Sequence, residues 1–516
     1  MSATPDAPPA GGATVSAPPR GRRRAERSFG SALAWTVVGA VVPGTAFLAA
    51  GRRILGAITL ALFLLLVGGG VWLATGGRHT AVRLAVDTGA LLWVSIGIGL
   101  VALLWILVIV AGYRMLLPSQ VGRGRHVIGA VVVLLLVLGV AAPAVAAGRL
   151  AATQSDLIAG VFSDDGRSAT VDAKANPFGS QERVNVLLLG GDGGEGRDGV
   201  RTDTVIVASI DTDTGDTTLF SLPRNLENLP FPADSPLAEA YPDGFEAGDE
   251  SESLLNAVYR NGPAEYPDIL GPTDNPGADF LKLGVGEALG LKIDYYVLVN
   301  LDGFSRMVDA LGGITVNVNY YVPVGGEPNV SLPDAYIAPG PDQHMDGATA
   351  LAFARGRIGL TDYDRMARQR CTIDAIIQAA DPVTLLKQYQ ELAATTKDIV
   401  STDIPRSVLD DFVDLGFLVK DATTRSVVFD ETLIDPAYPD YDAMRQTVQD
   451  ALVPPSDSAA SDSPAPESSA SSAPAEPTGD PAATQDPAAD VGDACAYDPA
   501  RAQEALDQGE PPTRNG

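Results

Sequence analysis

The sequence predicts an α/β domain, layered αβα and placed outside the cytoplasm, that follows an N-terminal multi-span helical membrane region and precedes a disordered Ser/Ala/Pro-rich tail. Three observations predict this arrangement. Long uncharged apolar stretches are confined to the first 150 residues, strand and helix signals alternate from about residue 185, and a tract from residue 454 lacks large apolar side chains. Boundaries follow at residues 1–30 for a disordered cytoplasmic tail, 31–150 for the membrane region and 151–182 for a linker. The α/β domain occupies 183–452, a disordered linker 453–493, and a C-terminal segment containing Cys495 residues 494–516.

Charge divides the 516-residue chain in the same way. Residues 1–150 carry 13 Lys and Arg against 3 Asp and Glu, whereas residues 151–516 carry 23 against 61. A domain this acidic repels nucleic-acid phosphates over most of its surface, so nucleic acid is not an expected partner.

Apolar stretches at residues 31–50, 54–74, 89–112 and 127–147 each approach the ~20 residues that cross a hydrocarbon core. Four crossings would leave both ends on one side. Arg22, Arg23, Arg24 and Arg27 mark a cytoplasmic start, and Arg52, Arg53, Arg114, Arg123 and Arg125 share that side only if the first stretch does not span. Pro43 and Gly44 at its centre predict a broken, re-entrant segment followed by three spans, with a straight fourth span as the alternative. The loop bearing Arg78 and Arg83 then faces outward, as does the chain beyond Arg149. The Arg cluster precedes several long stretches, which favours an anchor over a cleavable leader.

In the domain, VNVLLLG reads as a buried strand, and TVIVASID with TTLFSLP as a hairpin about a Thr-Asp-Thr-Gly turn. Residues 279–290 read as a helix, DYYVLVN as a strand, FSRMVDALGG as a helix, ITVNVNY and SVVFD as strands, and residues 441–452 as a short helix. Residues 227–252 form a Pro- and acid-rich insertion expected on the surface. Cys371 and Cys495 are the only cysteines; outside the cytoplasm they either pair or stay as two thiols.

With three histidines, none near a candidate nucleophile, and no Cys/His zinc spacing or GxxxxGK[ST] loop, chemistry must rest on carboxylates and arginines. In LLLGGDGGEGRDGVRTDT a strand runs into a glycine-rich loop with Asp192, Arg201 and Asp203, hard oxygen donors suited to Mg²⁺ or to ordinary turns. FSLPRN presents Arg224 after a strand. LAFARGRIGLTDYDRMARQR gathers Arg355, Arg357, Arg365, Arg368 and Arg370, a concentration of cations that suggests an anion site, although charged helix faces are also common.

Together these segments resemble the LytR-CpsA-Psr family of bacterial envelope phosphotransferases. The match runs in order through VNVLLLGGD, RTDTVIVASID, FSLPRN, LLNAVYRNG, IDYYVLVNLDGFSRMVDALGGITVNV, MDGATALAFARGR and DYDRMARQR, over roughly residues 183–380. The resemblance implies transfer of a glycopolymer phosphosugar from a polyprenyl-pyrophosphate donor to a peptidoglycan hydroxyl. It implies Mg²⁺ (or Mn²⁺) at Asp192 and Asp203, with pyrophosphate bound by Arg201, Arg224, Arg355, Arg357, Arg365 and Gln369. Asp203, Arg201 and Arg224 are the expected catalytic residues, with Asp203 accepting the hydroxyl proton. Asn225 stands where the family more often has Asp, and the multi-span anchor exceeds the usual single helix. The implied location is the cell membrane, with membrane lipid as a partner and the donor itself as the energy source. Hydrolysis of the lipid pyrophosphate, and a non-catalytic glycopolymer-binding or regulatory role, are the alternatives.

Overall fold

The structure is a computed structural model that describes residues 28–118, 121–162, 168–171, 176, 178, 180–192, 200–327, 330–380, 400–453 and 488–514. It divides into two compact units, residues 1–71 with 97–146, and residues 72–96 with 147–516. The expected disorder of residues 1–27 and 454–487, and the glycine-rich loop at 193–199, lie outside the described residues.

Six helices come first: α1 (Phe29–Val41), α2 (Thr45–Ala49), α3 (Arg53–Thr75), α4 (Arg78–Val86), α5 (Thr88–Leu116) and α6 (Arg123–Val161). At 13 residues α1 is about 20 Å long, too short for a hydrocarbon core of about 30 Å. It ends before Pro43, and Gly44 takes φ 101°, a left-handed conformation that glycine adopts without a Cβ clash. The chain then folds back as α2, bringing Ala46 against Gly39. The first apolar stretch is therefore a broken hairpin. Helices α3, α5 and α6 are each long and apolar enough to cross a membrane. Helix α6 runs on to Val161, so the first part of the expected linker is helical; its Ala, Leu and Gln favour continuation.

The second unit continues with β1 (Arg183–Gly191), β2 (Thr202–Asp211), β3 (Thr217–Leu222), α7 (Pro236–Ala240), α8 (Leu255–Glu265), α9 (Pro276–Leu289), β4 (Tyr295–Asn300) and α10 (Leu301–Ala310). Then come β5 (Ile314–Val318), β6 (Val322–Val324), β7 (Ala335–Ile337), β8 (Gly340–Met345), α11 (Gly347–Arg355) and α12 (Asp362–Ala379). The described chain closes with β9 (Val400–Thr402), α13 (Leu409–Asp421), β10 (Thr424–Val428), α14 (Tyr441–Leu452), β11 (Ala489–Asp490), α15 (Val491–Ala494) and α16 (Pro499–Gln508).

Seven strands form a mixed sheet in the order β11-β10-β3-β2-β1-β4-β9. The β1–β4 and β3–β10 pairs are parallel, and the β1–β2–β3 meander is antiparallel. Because side chains alternate along a strand, β1 sends Leu187 and Leu189 to one face and Val184 and Val186 to the other. The first face packs on Val258 of α8, Leu281 and Val285 of α9, and Met444 and Val448 of α14. On the opposite face Phe412 of α13 meets Val184 and Val186, while Ile373 of α12 meets Ile206 and Leu219. Helices thus cover both faces, the αβα layering expected from the alternation of signals.

ITVNVNY forms the expected strand, β5, which pairs with β8 in a separate two-stranded sheet over a second core around Val308, Val316 and Phe353. Two expectations need correction. The 227–252 insertion is not merely a surface loop. Its Leu229, Phe231, Leu237 and Phe245 are buried in the main core, four large apolar residues whose irregular spacing carries no period. The disorder expected through residue 493 is not found at residues 489–494, which form β11 and α15, with β11 pairing to the edge of the sheet at β10.

Candidate active site

Strand β1 ends at Gly191, and the antiparallel β2 begins opposite it at Thr202. Gly190 faces Thr204 and Gly191 faces Thr202, so the register skips Asp203. A bulge of this kind adds one residue to one strand and re-aims its side chain. Asp203 accepts 2.8 Å from Arg224 Nη1 and 3.3 Å from Asn256 Nδ2. Burial would raise its carboxyl, but the hydrogen bond and charge of Arg224, with Asn256 and Arg365, outweigh burial and hold it below the usual carboxylate range. Asp192, just past β1, accepts 2.8 Å from the backbone N–H of Arg201.

Arg365 enters from α12. Thr361 and Asp364 close a reciprocal capping box at its start, which fixes the first turn that carries Arg365. That guanidinium, 3% exposed, donates 2.9 Å to Asp362 Oδ2 and 3.2 Å to the backbone oxygen of Asp203. Burial lowers its pKa to about 10, so the group stays charged at neutral pH. Its Nε is buried with no hydrogen-bond partner among the described residues. A buried charged donor left over in this way fits an acceptor supplied by a ligand. Asp362 also lies 3.6 Å from Arg224 Nε, and so joins the two arginines.

Asp192, Asp203 and Arg365 line a cavity of about 550 Å³ at the carboxyl ends of the parallel β1 and β4, where ligands of α/β sheets commonly sit. Its polar end holds Asp192, Asp203, Arg355, Arg357, Arg365 and Gln369. The remainder is apolar, with Val297, Val299, Phe304, Leu351, Ile373 and Ile376 among its walls. Helix α12 crosses from one end to the other: residues 365, 369, 372, 373 and 376 share a face, polar at first and isoleucine later. The cavity therefore has the form of an amphiphile, with a cationic head site and an apolar tail site.

The structure brings together Asp192, Asp203, Arg355, Arg357, Arg365 and Gln369 of the residues expected from sequence. Arg224 reaches the site through Asp203 rather than by lining the cavity. The Arg201 side chain turns aside to Glu252, which also takes Arg260 and, at 2.7 Å, Asn261. The remaining two of the five clustered arginines serve the fold. Arg368 donates to the backbone of Phe353 and Gly356 and, at 2.8 Å, to Tyr320, while Arg370 donates 3.0 Å to Ser426. Among the described residues no group of three or more His, Cys, Asp or Glu side chains could hold a metal. Sequence reasoning passed over Asn256 and Asp362. The i,i+3 spacing of Asp362 and Arg365 was the available signal for the second. A disulfide joins Cys371 to Cys495.

The chain is 30% identical over 230 residues to the polyisoprenyl-teichoic acid–peptidoglycan teichoic acid transferase TagU of Enterococcus faecalis, covering 44% of this chain and 63% of that protein. It is 32% identical over 215 residues to the probable cell wall biosynthesis protein LcpB of Corynebacterium glutamicum, covering 41% of each. The crystal structure of B. subtilis TagV aligns at 24% identity over 52% of this chain and 96% of that one, with a TM-score of 0.35. The family model LytR_cpsA_psr matches residues 153–441, more than half of the chain. The chain belongs to the LytR-CpsA-Psr family.

Proposed function

We propose that the protein is a membrane-anchored transferase that moves a glycopolymer phosphosugar from a polyprenyl-pyrophosphate donor to a hydroxyl of peptidoglycan. The observation that carries this reading is Arg365, a buried cation with an orphaned Nε, lining a cavity that is cationic at one end and apolar at the other. An anionic diphosphate head with a hydrocarbon tail matches both halves, whereas a free nucleotide would leave the apolar half unfilled. The name of the related TagU transferase supports the same assignment, and that of LcpB supports a role in cell wall biosynthesis.

In the reaction the acceptor oxygen attacks the sugar-linked phosphorus and forms a phosphodiester. The phosphoanhydride bond breaks, polyprenyl phosphate leaves with the electron pair, and the hydroxyl proton passes to solvent. Arg355, Arg357 and Arg365 bind the diphosphate and offset charge that develops on the leaving phosphate, and such electrostatic stabilisation commonly does most to lower the barrier to transfer. Gln369 orients a phosphate oxygen. Asp192 and Asp203 give the hard oxygen donors that Mg²⁺ or Mn²⁺ takes together with substrate phosphates, and the ion would supply further charge neutralisation. Asp203, held low by Arg224, accepts a proton poorly at neutral pH, so it would hold the ion and orient Arg224 rather than act as a general base. Arg201 would reach the diphosphate only by exchanging Glu252 for it.

The reading is tested with purified full-length protein, a lipid-pyrophosphate-linked glycan, a peptidoglycan oligosaccharide and Mg²⁺. A phosphodiester-linked product supports it; release of sugar phosphate to water with no linked product would instead make the protein a hydrolase. Two further results are expected. Ala352→Trp fills the cavity wall and should weaken binding of the lipid donor about tenfold or more, while a short water-soluble pyrophosphate binds unchanged. The loop arginines and the disulfide support an outward-facing domain. A cysteine introduced at the exposed Asp442 should therefore react with a membrane-impermeant thiol reagent in intact cells, and labelling only after lysis would reverse the orientation.

A further inference from the structure

A second cleft, of about 500 Å³, opens between the 227–252 insertion and the 435–441 turn. Phe231, Tyr241 and Tyr441 line it with prolines between them, Tyr438 stands at its edge, and Asn228 and Asp243 supply the polar rim. The Tyr438 ring is 84% exposed, an unusual position for a large aromatic unless something covers it. No Lys or Arg lines the cleft among the described residues.

The walls are built rather than incidental. Phe245 N–H donates 2.9 Å to Leu229, Glu227 N–H donates 3.0 Å to Pro436, and the Tyr441 hydroxyl donates 2.6 Å to the oxygen of Glu227. Tyr241 is fixed by its hydroxyl bond of 3.1 Å to Glu265. Asn228 sits in the left-handed region at φ 52°, and Gly244, at φ 95°, lies so close to the Asn228 backbone that a Cβ there would collide with it. Held backbone strain in an exposed segment is a feature of binding sites.

Chemistry narrows the occupant. The exposed Tyr438 ring, beside the Asp243 carboxylate and the Asn228 amide, suits a sugar ring, whose C–H face stacks while its hydroxyls hydrogen-bond at the rim. The single carboxylate and the missing cations disfavour a polyphosphate, so the anionic donor polymer does not belong here. Position narrows it further. The insertion leaves the sheet directly after Arg224, and its return is pinned by Asn256 N–H donating 3.0 Å to the Arg224 oxygen. Asn228 is four residues from Arg224, a contour of at most about 14 Å. A few sugar rings span that distance to the Asp203 site.

We propose that this cleft is a subsite for the uncharged stretch of glycan that presents the acceptor hydroxyl, a proposal that rests on the transferase reading above. The probe is a soluble, uncharged β-linked N-acetylhexosamine tetrasaccharide, added without donor to the full-length protein and followed by saturation-transfer NMR and calorimetry. The protein should bind it. Tyr438→Ala and Asp243→Ala, both surface changes, should each weaken binding about tenfold while leaving affinity for the lipid donor unchanged. In the transfer assay the same variants should raise KM for acceptor glycan and leave kcat near its original value. No binding by the unaltered protein, or equal binding by both variants, would overturn the proposal. Because binding is read without donor, a failed transfer assay with intact saccharide binding would count against the transferase reading alone.

Discussion

Asp203→Asn is expected to lower polymer transfer about 10²–10³-fold without unfolding the domain. The amide keeps the shape of the carboxylate and can still accept from Arg224, whose Nη1 lies 2.8 Å away, but it removes the charge that holds that arginine and would hold a cation. The side chain is about a third exposed and belongs to neither hydrophobic cluster of the site, so loss of stability should be small. The sign of the pH dependence follows from its depressed pKa: the carboxylate is charged throughout the neutral range. Its stabilising contribution is present above the unfolded pKa and is lost only as pH falls through the folded value. Any change in rate near neutrality must therefore come from another group. Transfer is measured with linked product as the readout, alongside circular dichroism. Unchanged ligation would sink the assignment of Asp203 and favour a protein that binds glycopolymer without acting on it.

Most of the fold was legible because its elements carry a period. The strands β1 to β4 and the helices α9, α10 and α14 show alternation or amphipathic spacing strong enough to place them, and loop arginines together with Pro43 and Gly44 exposed the broken first segment. The insertion was opaque for the opposite reason, since Leu229, Phe231 and Phe245 are buried by irregular loop and Leu237 by the five-residue α7, too short to show a period. The site was half legible. Residue type and order pointed to Arg355, Arg357 and Arg365, but nothing in DRMARQR says that Arg365 faces the cavity while Arg368 and Arg370 tie α12 to the backbone around it and to β10. That depends on which face of α12 meets which neighbour. The bulge at Asp203 and the diversion of Arg201 to Glu252 depend on register and on partners from distant segments, and neither leaves a local pattern.

Removing the disulfide should have the largest effect on stability. Cys371 and Cys495 are separated by 124 residues, and closing a loop of that size restricts the unfolded chain by about 5 kcal/mol in the chain-entropy account, with about 2–4 typically realised. The expected fall in Tm for Cys371→Ala with Cys495→Ala is about 5–15 °C. The bond is also local to the site. Cys371 lies two residues beyond Gln369 on α12, and the segment around Cys495 is held by Asn317 at 3.0 Å and Asn319 at 3.1 Å, while Arg501 pairs with Asp364 at 3.5 Å. Asp364 is the capping-box residue that fixes the turn bearing Arg365. Those contacts are largely exposed and individually worth about 1 kcal/mol or less, so without the covalent link the segment should open far more often than the core. Limited proteolysis of the double variant should then cut within residues 488–514, where the disulfide-bonded protein resists, and donor affinity should fall as the start of α12 loosens. Equal Tm and equal cleavage with and without the bond would show that β11 and the polar contacts hold the segment unaided. A lower Tm with unchanged donor affinity would separate the two roles, leaving the bond as a staple on the fold with no influence on the Arg365 site.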